Sequence, residues 1–352
     1  MSDNPGAIVV IGVGARTPLG FSLPPSAAAV RAGISVIQDH PFMVDRFGEP
    51  MKVTLDNGVS ADLSGPDRVV EIGASAALDA LLPLKSSRAS ISLVLAVGEE
   101  RPGQTAGYAA SVYSGLRARL ARNFSIEKGG VLAAGHAGGI LAMLHACDAL
   151  ANGSARLCLV GGLDSYVEPE TLEWLDALEQ LHSRENIYGF CPGEAAGFCL
   201  MATLRTAREL SCRPLLEVVS VGAAREENRI KTQTVVLGKG LGTAFRSTFE
   251  QAPSEIGVVD RVICDMNGER YRGNEYGFAV LLNRGKFKDA ADFETPADCW
   301  GDVGAASGPL FVGLVTEAEA RDYSKGPLSL IWASSENGSR AAALLRAPRR
   351  TA

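Results

Sequence analysis

The sequence predicts an α/β protein made of two similar halves, each with a mainly parallel sheet covered by helices on both faces. Short apolar runs typical of strands alternate along the chain with Ala/Leu-rich segments of helical periodicity. Several of the apolar runs lack polar positions, as expected for strands buried on both sides. The alternation restarts after Arg213-Pro214. We therefore expect an N-terminal half at 1–205 and a C-terminal half at 206–352.

The elements follow from these two patterns in chain order. In the first half, apolar runs predict strands at 8–13, 91–97, from 131, 155–160 and 196–204, and periodic segments predict helices at 22–32, 68–82, 105–122 and 140–151. In the second half, the same patterns predict strands at 215–222, 258–264, 328–333 and 340–345, with helices at 242–251, 274–283 and 305–321. The segment 40–62 has neither pattern, and we expect an irregular excursion there.

One segment of the first half places a histidine at a sharp turn. A short apolar strand runs from Val131 into Gly135-His136-Ala137-Gly138-Gly139, and a helix follows that stops at Asn152-Gly153. The next strand closes on Gly161-Gly162. His136 thus lies at a strand-to-helix elbow, above the sheet and beside a helix N-terminus. Because a helix N-terminus disfavours positive charge, we expect a neutral imidazole.

These motifs resemble the β-ketoacyl synthases of the thiolase superfamily. In that family, a nucleophilic cysteine on an elbow precedes an Ala-rich helix, a strand ending in Gly-Gly-x-(Asp/Glu), and a Gly-Phe-x-x-Gly-Glu-(Gly/Ala)-Ala segment. The matching residues here are Gly161-Gly162-Leu163-Asp164 and Gly189-Phe190-Cys191-Pro192-Gly193-Glu194-Ala195-Ala196. By this correspondence the nucleophile position falls on His136.

The resemblance extends over nearly the whole chain. Asn267 matches the family's first catalytic histidine, and Asp302 lies in the run Gly301–Gly308, which is similar to the loop of the second. The run Ser334–Ser339, which includes Asn337 and Gly338, takes the place of the Gly-Phe-Gly-Gly-Thr-Asn turn. The resemblance implies a thiolase-like fold, with two duplicated halves in α-β-α-β-α layers. It also implies an acyl thioester ligand, on coenzyme A or an acyl carrier protein, and a homodimer or a heterodimer with a ketosynthase.

The usual catalytic apparatus of that family is missing at all three positions. The chain's histidines are His40, His136, His145 and His182, so none follows position 182. Decarboxylative condensation in the family needs a thiolate and His or Asn side chains from the C-terminal half. Two interpretations of His136 remain. It is a base or acyl acceptor, or it fills the vacated thiol pocket and bonds a backbone carbonyl.

Further candidates lie near these positions. Asn267 is suited to bond a thioester carbonyl, and Glu269 or Glu275 to orient His136. In the alternative interpretation, Asn267-Gly268 is a tight turn and the nearby charges pair with one another at the surface or a dimer interface: Glu269, Arg270, Arg272 and Glu275. For the two arginines we favour that alternative.

Two buried candidates belong to loops near the site. Glu194 follows a glycine inside an apolar run, so it must find partners on burial, and we expect it to hold loops near the site. Cys264 and Cys191 fall in loops that border the active site in the resembling family. Without a histidine nearby in sequence, each is expected to be a packing residue rather than a nucleophile.

Composition excludes several classes of function. A formal charge of −6 over 352 residues argues against nucleic acid. The run from Gly12 lacks the third glycine of a dinucleotide fingerprint, and the scattered histidines give no metal set, so we expect no cofactor and no metal. We find neither a secretion signal nor a membrane-spanning run. Seven unpatterned cysteines favour a reduced, cytoplasmic protein.

Two function classes remain open, and the sequence does not decide whether the chain is an enzyme. The first is a non-condensing partner in fatty-acid or polyketide type metabolism, similar to the chain-length factors that pair with active synthases. The second is an acyltransferase or thioester hydrolase that uses His136 as base or acyl acceptor. An acidic carrier partner would require a basic patch, for which Arg117, Arg119 and Arg122 are candidates, although a solvated helix face explains the same charges more simply.

Overall fold

The computed structural model describes residues 4–84, 89–229 and 234–348. Its strands are β1 (Ile8–Arg16), β2 (Gln38–Val44), β3 (Pro50–Val53), β4 (Ser90–Val97), β5 (Ser125–Ala133), β6 (Leu157–Ser165), β7 (Glu194–Thr203), β8 (Leu216–Arg225), β9 (Arg261–Cys264), β10 (Phe293–Glu294), β11 (Leu328–Ser334) and β12 (Ser339–Arg346). Its helices are α1 (Leu23–Arg31), α2 (Gly65–Leu81), α3 (Tyr108–Leu120), α4 (Gly138–Ala151), α5 (Pro169–Ala177), α6 (Leu204–Glu209), α7 (Lys239–Gln251), α8 (Arg270–Leu282), α9 (Ala297–Trp300) and α10 (Ser307–Ala320).

The two halves have the same strand order. The strand order of the ten-stranded sheet is β10-β9-β11-β12-β8-β1-β7-β6-β4-β5. When the sheet strands of each half are counted along the chain, both halves have the same order from the outer edge to the centre: third, second, fourth, fifth and first. The halves join where β1 and β8 pair, at Val9 with Glu217 and Val10 with Leu216. The duplication expected from the sequence is therefore confirmed in the topology. The division at 205/206 into separate domains stays a prediction, because the sheet is continuous across it.

The sheet is mixed, and the expectation of a mainly parallel sheet was wrong. The pairs β4/β5, β4/β6, β9/β10 and β9/β11 are parallel. The pairs β1/β7, β6/β7, β11/β12, β8/β12 and β1/β8 are antiparallel. Strands β6 and β11 are buried at every position. A strand covered on both faces has the same apolar pattern whichever way its neighbour runs, so the pattern does not reveal direction.

Helices form three layers around the sheet. Helices α4 and α10 each contact strands of both halves and make up the central layer. Helices α2 and α3 cover the outer face of the first half, and α7, with α8 packed on it, covers the second. One apolar core combines the central helices with strands of both halves, and two further cores lie beneath the outer helices. The molecule therefore has the α-β-α-β-α layering that the resemblance implied.

The structure adds elements that the sequence patterns did not reveal. The segment 40–62 is not wholly irregular, because β2 and β3 form a two-stranded hairpin there. Helices α5 and α9 and the two-residue strand β10 were also missed. All are short, and the periodicity of a short segment is too weak to separate it from a loop.

The two central helices begin in the same way. A 3₁₀ turn at Gly135–Ala137 precedes α4, and one at Gly304–Ala306 precedes α10. Backbone from the two halves meets closely here, since a Cβ on Gly162 would lie 2.0 Å from the carbonyl oxygen of Ala305. The equivalent ends of the two halves thus meet near the sheet centre, and His136 lies in one of these turns.

Candidate functional site

His136 occupies the elbow predicted from the sequence. Gly135 has φ +62°, which glycine tolerates without strain, and His136 follows it in the 3₁₀ turn before α4. The side chain points into the protein, with only 4% of the residue exposed. Ser335 fixes the turn from the other half, because its Oγ accepts from the Ala137 N–H (2.8 Å) and donates to the Ala134 carbonyl (2.6 Å).

The partner of His136 is the carboxylate of Asp302, not a backbone carbonyl. Nε2 lies 2.8 Å from Oδ1 and 2.9 Å from Oδ2 of Asp302, which is also buried. Oδ1 accepts a further bond from the Gly304 N–H at 2.9 Å. The pKa of Asp302 is lowered: burial opposes this, but the adjacent His136 and Arg272 outweigh burial. Since an ionised carboxylate only accepts, Nε2 carries a hydrogen and donates it.

The expectation of a neutral His136 was wrong in direction. Burial would lower the pKa of this imidazole, but the charge of Asp302 and the bond to it raise the pKa above its usual value. Arg272 opposes the increase, with Nη2 3.3 Å from Nε2. Both of these nitrogens carry hydrogens, so the contact is a close approach of two donors rather than a hydrogen bond. The carboxylate therefore outweighs the helix N-terminus from which neutrality was argued.

Asn267 joins this pair, as its position in the sequence suggested. Its Nδ2 donates to Asp302 Oδ2 at 2.5 Å and to Glu269 Oε2 at 3.1 Å. Its Oδ1 accepts from the Glu269 N–H at 3.1 Å, which also makes it the first residue of a turn. His136, Asp302 and Asn267 thus meet from the three places where the sequence positions the usual cysteine and two histidines.

Glu269 and Glu275 do not contact His136, so the hypothesis that one of them orients it was wrong. Glu269 Oε1 accepts from Gln180 Nε2 (3.3 Å), which also donates to Glu336 Oε1 (2.7 Å). Glu275 accepts from the Ser334 hydroxyl at 2.8 Å and pairs with Arg340. Asp302 takes the orienting role, because its carboxylate lies 2.8 Å from Nε2 whereas Glu269 and Glu275 pair with arginines.

Arg272 is buried beneath the site, contrary to the expectation that it lies at the surface. It is fully shielded from solvent. Its Nη1 donates to Asp265 Oδ2 (2.6 Å) and the Ser334 carbonyl (2.8 Å), and its Nε donates to Glu269 Oε2 (3.2 Å). Arg270 is exposed, as expected, and stacks on Tyr188. Charge spacing along α8 could not reveal which arginine faces inward.

Glu194 lies in a separate buried cluster. Arg68 donates to both of its carboxylate oxygens, at 2.7 and 2.6 Å, and Ser165 Oγ donates at 3.0 Å. Its Oε1 also accepts from the Asp56 N–H at 2.9 Å. Its hydrogen bonds go to Arg68, Ser165 and Asp56 rather than to His136, Asp302 or Asn267, so its geometry is that of a loop anchor.

The cysteine candidates have the features of packing residues. Cys264 ends β9, and burial raises the pKa of its thiol. Cys191 is half-buried, and burial raises its thiol pKa to about 11. Neither environment favours the thiolate that a nucleophile requires.

The turn at Ser334–Ser339 contributes to the wall of a cavity. The Asn337 N–H donates to Glu99 Oε1 at 3.2 Å. Burial raises the pKa of Glu99, although the Asn337 N–H and His136 act against this. Gly338 adopts φ +99°, and its carbonyl accepts from the Glu226 N–H at 2.7 Å, so its role is to shape the backbone.

His136 borders a cavity of about 410 Å³. The remaining lining is mostly charged or aromatic: Glu99, Glu100, Arg101, Tyr166, Trp174, Leu175, Arg229, Glu336 and Asn337. Arg101 is held by Asp164 Oδ1 (2.5 Å) and the Ser165 carbonyl (2.6 Å). Sequence reasoning missed Glu99, Arg101 and Gln180. The run Glu99-Glu100-Arg101 directly after a buried strand was the available signal, because polar residues at strand ends often line a site.

The arrangement has defined chemical limits. Among the described residues, no group of three His, Cys, Asp or Glu side chains is placed to hold a metal. The His136–Asp302 pair can exchange a proton. The side-chain amide of Asn267 already donates its hydrogen bonds to two carboxylates. In the part of the chain that the structure describes, no helix is both long and apolar enough to cross a bilayer.

Comparison with known proteins supports the ketosynthase resemblance. Residues 98–207 match the family model of the β-ketoacyl synthase N-terminal domain. No curated protein matches the chain by sequence. The segment matched by the family model, 98–207, includes the elbow at His136 and the later motifs up to Glu194.

Solved structures share the architecture across almost the whole chain. A chain from a type II polyketide synthase acyl carrier protein in complex with its ketosynthase, bound to the hexaketide, is 14% identical with a TM-score of 0.77, and the alignment covers 97% of this chain and 99% of that one. The ketosynthase from module 6 of the bacillaene synthase of Bacillus subtilis 168 is 16% identical with a TM-score of 0.78, covering 98% and 72%. The ishigamide ketosynthase/chain length factor is 19% identical with a TM-score of 0.68, covering 97% and 99%.

At these identities the structural likeness establishes the fold alone. The five-layered, duplicated architecture is the one that the resemblance implied. The chain therefore has the thiolase-like fold of the ketosynthases, and its residues 98–207 match the family model of the β-ketoacyl synthase N-terminal domain.

Proposed function

We propose that this chain is a non-condensing, ketosynthase-like partner in fatty-acid or polyketide type metabolism, similar to a chain-length factor. One observation carries the proposal. The elbow that would present a nucleophilic thiol instead holds His136 in a buried ion pair with Asp302, at 2.8 Å. A thioester exchange needs a thiolate at that point, and the imidazole there is engaged by a carboxylate.

The state of the other polar groups supports the same proposal. The Asn267 amide donates to two carboxylates, and Arg272 donates to Asp265 and Glu269. Polarising a thioester carbonyl requires a donor aimed at an empty position. These donors are directed at the protein's own carboxylates, so the network favours stability of the scaffold over catalysis.

A surface suited to a partner lies at one sheet edge. Among the described residues, β5 pairs only with β4, and its other side is an open edge. Strand β5 has nine residues, and most of its positions are exposed or half-buried. Long open edges favour pairing with another chain. We propose that a ketosynthase subunit or a second copy pairs there. One similar structure is named a ketosynthase/chain length factor, which supports the first occupant.

A second candidate function rests on the other ring nitrogen. Among the described residues, the polar contacts of the His136 ring all involve Nε2, and the residue lines the 410 Å³ cavity. With Nε2 fixed as a donor to Asp302, Nδ1 is the nitrogen that titrates. At a pH above the raised pKa of His136, Nδ1 has a free lone pair. This geometry suits a base for acyl transfer or thioester hydrolysis.

One experiment separates the two functions. The pure protein is incubated with acyl-CoA and acyl-carrier-protein thioesters, and intact mass and free thiol are followed for the wild type, His136→Gln and His145→Ala. Glutamine retains a donor for Asp302 but removes the base, and His145 is an exposed residue of α4 that lines neither cavity. We expect neither adduct nor turnover in any form. Turnover that His136→Gln abolishes and His145→Ala retains would refute the partner proposal and establish the hydrolase or transferase.

The partner proposal also has a direct test. The chain is co-expressed with each cysteine-bearing ketosynthase that its source genome encodes, and the assembly is measured by native mass spectrometry. We expect a stable one-to-one complex that Val131→Lys on β5 weakens and Glu71→Lys, on the outer helix α2, does not. A homodimer alone, with no exchange on mixing, would argue against a heterologous partner.

A further inference from the structure

Two cavities lie on either side of the His136–Asp302 pair. The first, of about 410 Å³, is bordered by His136. A second, of about 370 Å³, is bordered by Asp302 and Asn267, and its lining also includes Ile37, Lys52, Ile187 and Cys191. His136 does not line the second cavity and Asp302 does not line the first, although the two side chains touch. The ion pair therefore lies in the wall between the cavities.

Hydrogen bonds extend this wall on one side. From Asp302 the chain of contacts continues through Asn267 to Glu269, then through Gln180 to Glu336. Asn267 lines the second cavity and Glu336 lines the first, so this part of the network also runs from one cavity to the other. Arg272 supports the wall through Glu269 and Asp265 and is itself fully buried.

The composition of the wall makes it resistant to opening. Moving His136 or Asp302 aside would leave its partner as a buried, unpaired charge, which costs about 3–5 kcal/mol. Both residues are 4% exposed, and neither is on a long loop, since His136 starts a central helix and Asp302 lies two residues before the equivalent turn.

We propose that the His136–Asp302 pair is a closed partition between two ligand cavities. A molecule that enters beside Asn267 stops at Asp302. The cavity beside His136 accommodates a separate, polar ligand that matches its charged and aromatic lining. Replacing the pair with small side chains joins the cavities into one passage. That an elongated thioester is the molecule entering beside Asn267 rests on the proposed function, whereas the partition rests on the geometry alone.

Cross-linking between the cavities tests the partition. Ile187→Cys, at an exposed position of the second cavity, supplies one thiol, and Glu100→Cys, at an exposed position of the first, supplies the other. Bis-maleimides of increasing length are applied, and the bridged product is identified by intact mass and peptide mapping. With the pair intact, we expect each thiol to be labelled singly. With His136→Ala and Asp302→Ala added together, we expect about tenfold or more bridged product, because the linker then has a direct path.

The double substitution avoids an unpaired charge, which favours folding. His136→Ser with Asp302→Ser is the second opened form, and circular dichroism confirms folding of each. Arg16→Ala with Asp56→Ala is the matched control, because it removes a buried ion pair (2.6 Å) that borders neither cavity.

The outcomes decide the proposal in either direction. Bridging confined to the opened forms supports a closed partition. Equal bridging with the pair intact, or no bridging in either folded opened form, overturns it. None of these results depends on thioester turnover or on a partner subunit, so the partition and the proposed function fail separately.

Discussion

At the scale of single residues, the neighbours of His136 decide its chemistry. In sequence it is a titratable side chain at a helix N-terminus, for which the neutral form is expected. In the structure an ionised carboxylate lies 2.8 Å away, and the pKa of the imidazole rises instead. The contact joins residues 166 positions apart. No local pattern of sequence reports such a contact.

Asp302→Asn tests the cause of that pKa shift. The amide removes the negative charge but nearly preserves the shape, so we expect the pKa of His136 to fall below its usual value through burial and Arg272. The measurement is a ¹H–¹⁵N NMR titration of the histidine rings, with His40, His145 and His182 as internal references. An unchanged His136 titration would mean that Asp302 is not the source of the shift.

The same pair predicts how stability depends on pH. The pKa of His136 is raised in the folded protein. Its contribution to stability is therefore fully present below its pKa in the unfolded chain, about 6.5, and is lost as the pH rises through the pKa in the folded protein. The pKa of Asp302 is lowered, so its contribution is present above about 3.8 and is lost at acid pH. We expect the free energy of unfolding of the wild type, measured in urea, to exceed that of Asp302→Asn most between these two pH limits, by about 3–5 kcal/mol. A difference that grows above neutral pH would contradict this sign.

Glu194 should affect stability but not the His136 site. Glu194→Ala leaves Arg68 buried without its carboxylate, and we expect a loss of about 3–5 kcal/mol of unfolding free energy. The double variant Glu194→Leu with Arg68→Met replaces the ion pair by two apolar side chains, and we expect it to recover most of the lost stability. Urea unfolding measures both. A His136 titration altered by the double variant would instead place Glu194 in the site.

At the scale of elements, the elbow depends on close approach between the two halves. The strand pattern and glycine turn located the elbow correctly from the sequence. Only the structure shows why position 162 requires glycine: the backbone of the opposite half passes so close that a Cβ would clash with it. A glycine within a strand indicates such a close approach, but the sequence does not reveal which segment approaches.

Gly162→Ala should therefore be costly and Gly130→Ala should not. The added Cβ at 162 would lie 2.0 Å from the Ala305 oxygen, whereas nothing lies within 4 Å of a Cβ at 130. We expect Gly162→Ala to lose at least about 1–3 kcal/mol, because backbone must shift. Gly130→Ala, also on a strand, is the control. Equal stability of the two variants in urea would show that the halves can separate here at little cost.

At the scale of the whole molecule, the two halves depend on the same central helices and on one common core. Helices α4 and α10 contact strands of both halves, and the central core takes residues from each. Neither half alone would cover the faces that these helices now bury. The resemblance between halves in strand order is thus a repetition of topology within one folded unit.

Separate expression of 1–205 and 206–352 tests this. We expect neither fragment alone to show a cooperative thermal transition by circular dichroism, because each would expose its central face to water. The intact chain is the control, and mixing of the fragments should restore the transition if they recognise each other. A cooperative transition in fragment 1–205 alone would establish independent domains.

The sequence by itself determined the alternation of strands and helices, the duplication, the elbow at His136 and the positions of Asn267 and Asp302. The alternation, the duplication and the elbow follow from periodicity and glycine placement, which are local properties of the chain, and the positions of Asn267 and Asp302 follow from the resemblance to the ketosynthase motifs. Only the tertiary structure decided strand direction, the burial of Arg272, the carboxylate on His136 and the two cavities that this pair separates. Each depends on contacts between residues far apart in sequence, and the electrostatics of a buried group is set by whichever charges the fold brings beside it.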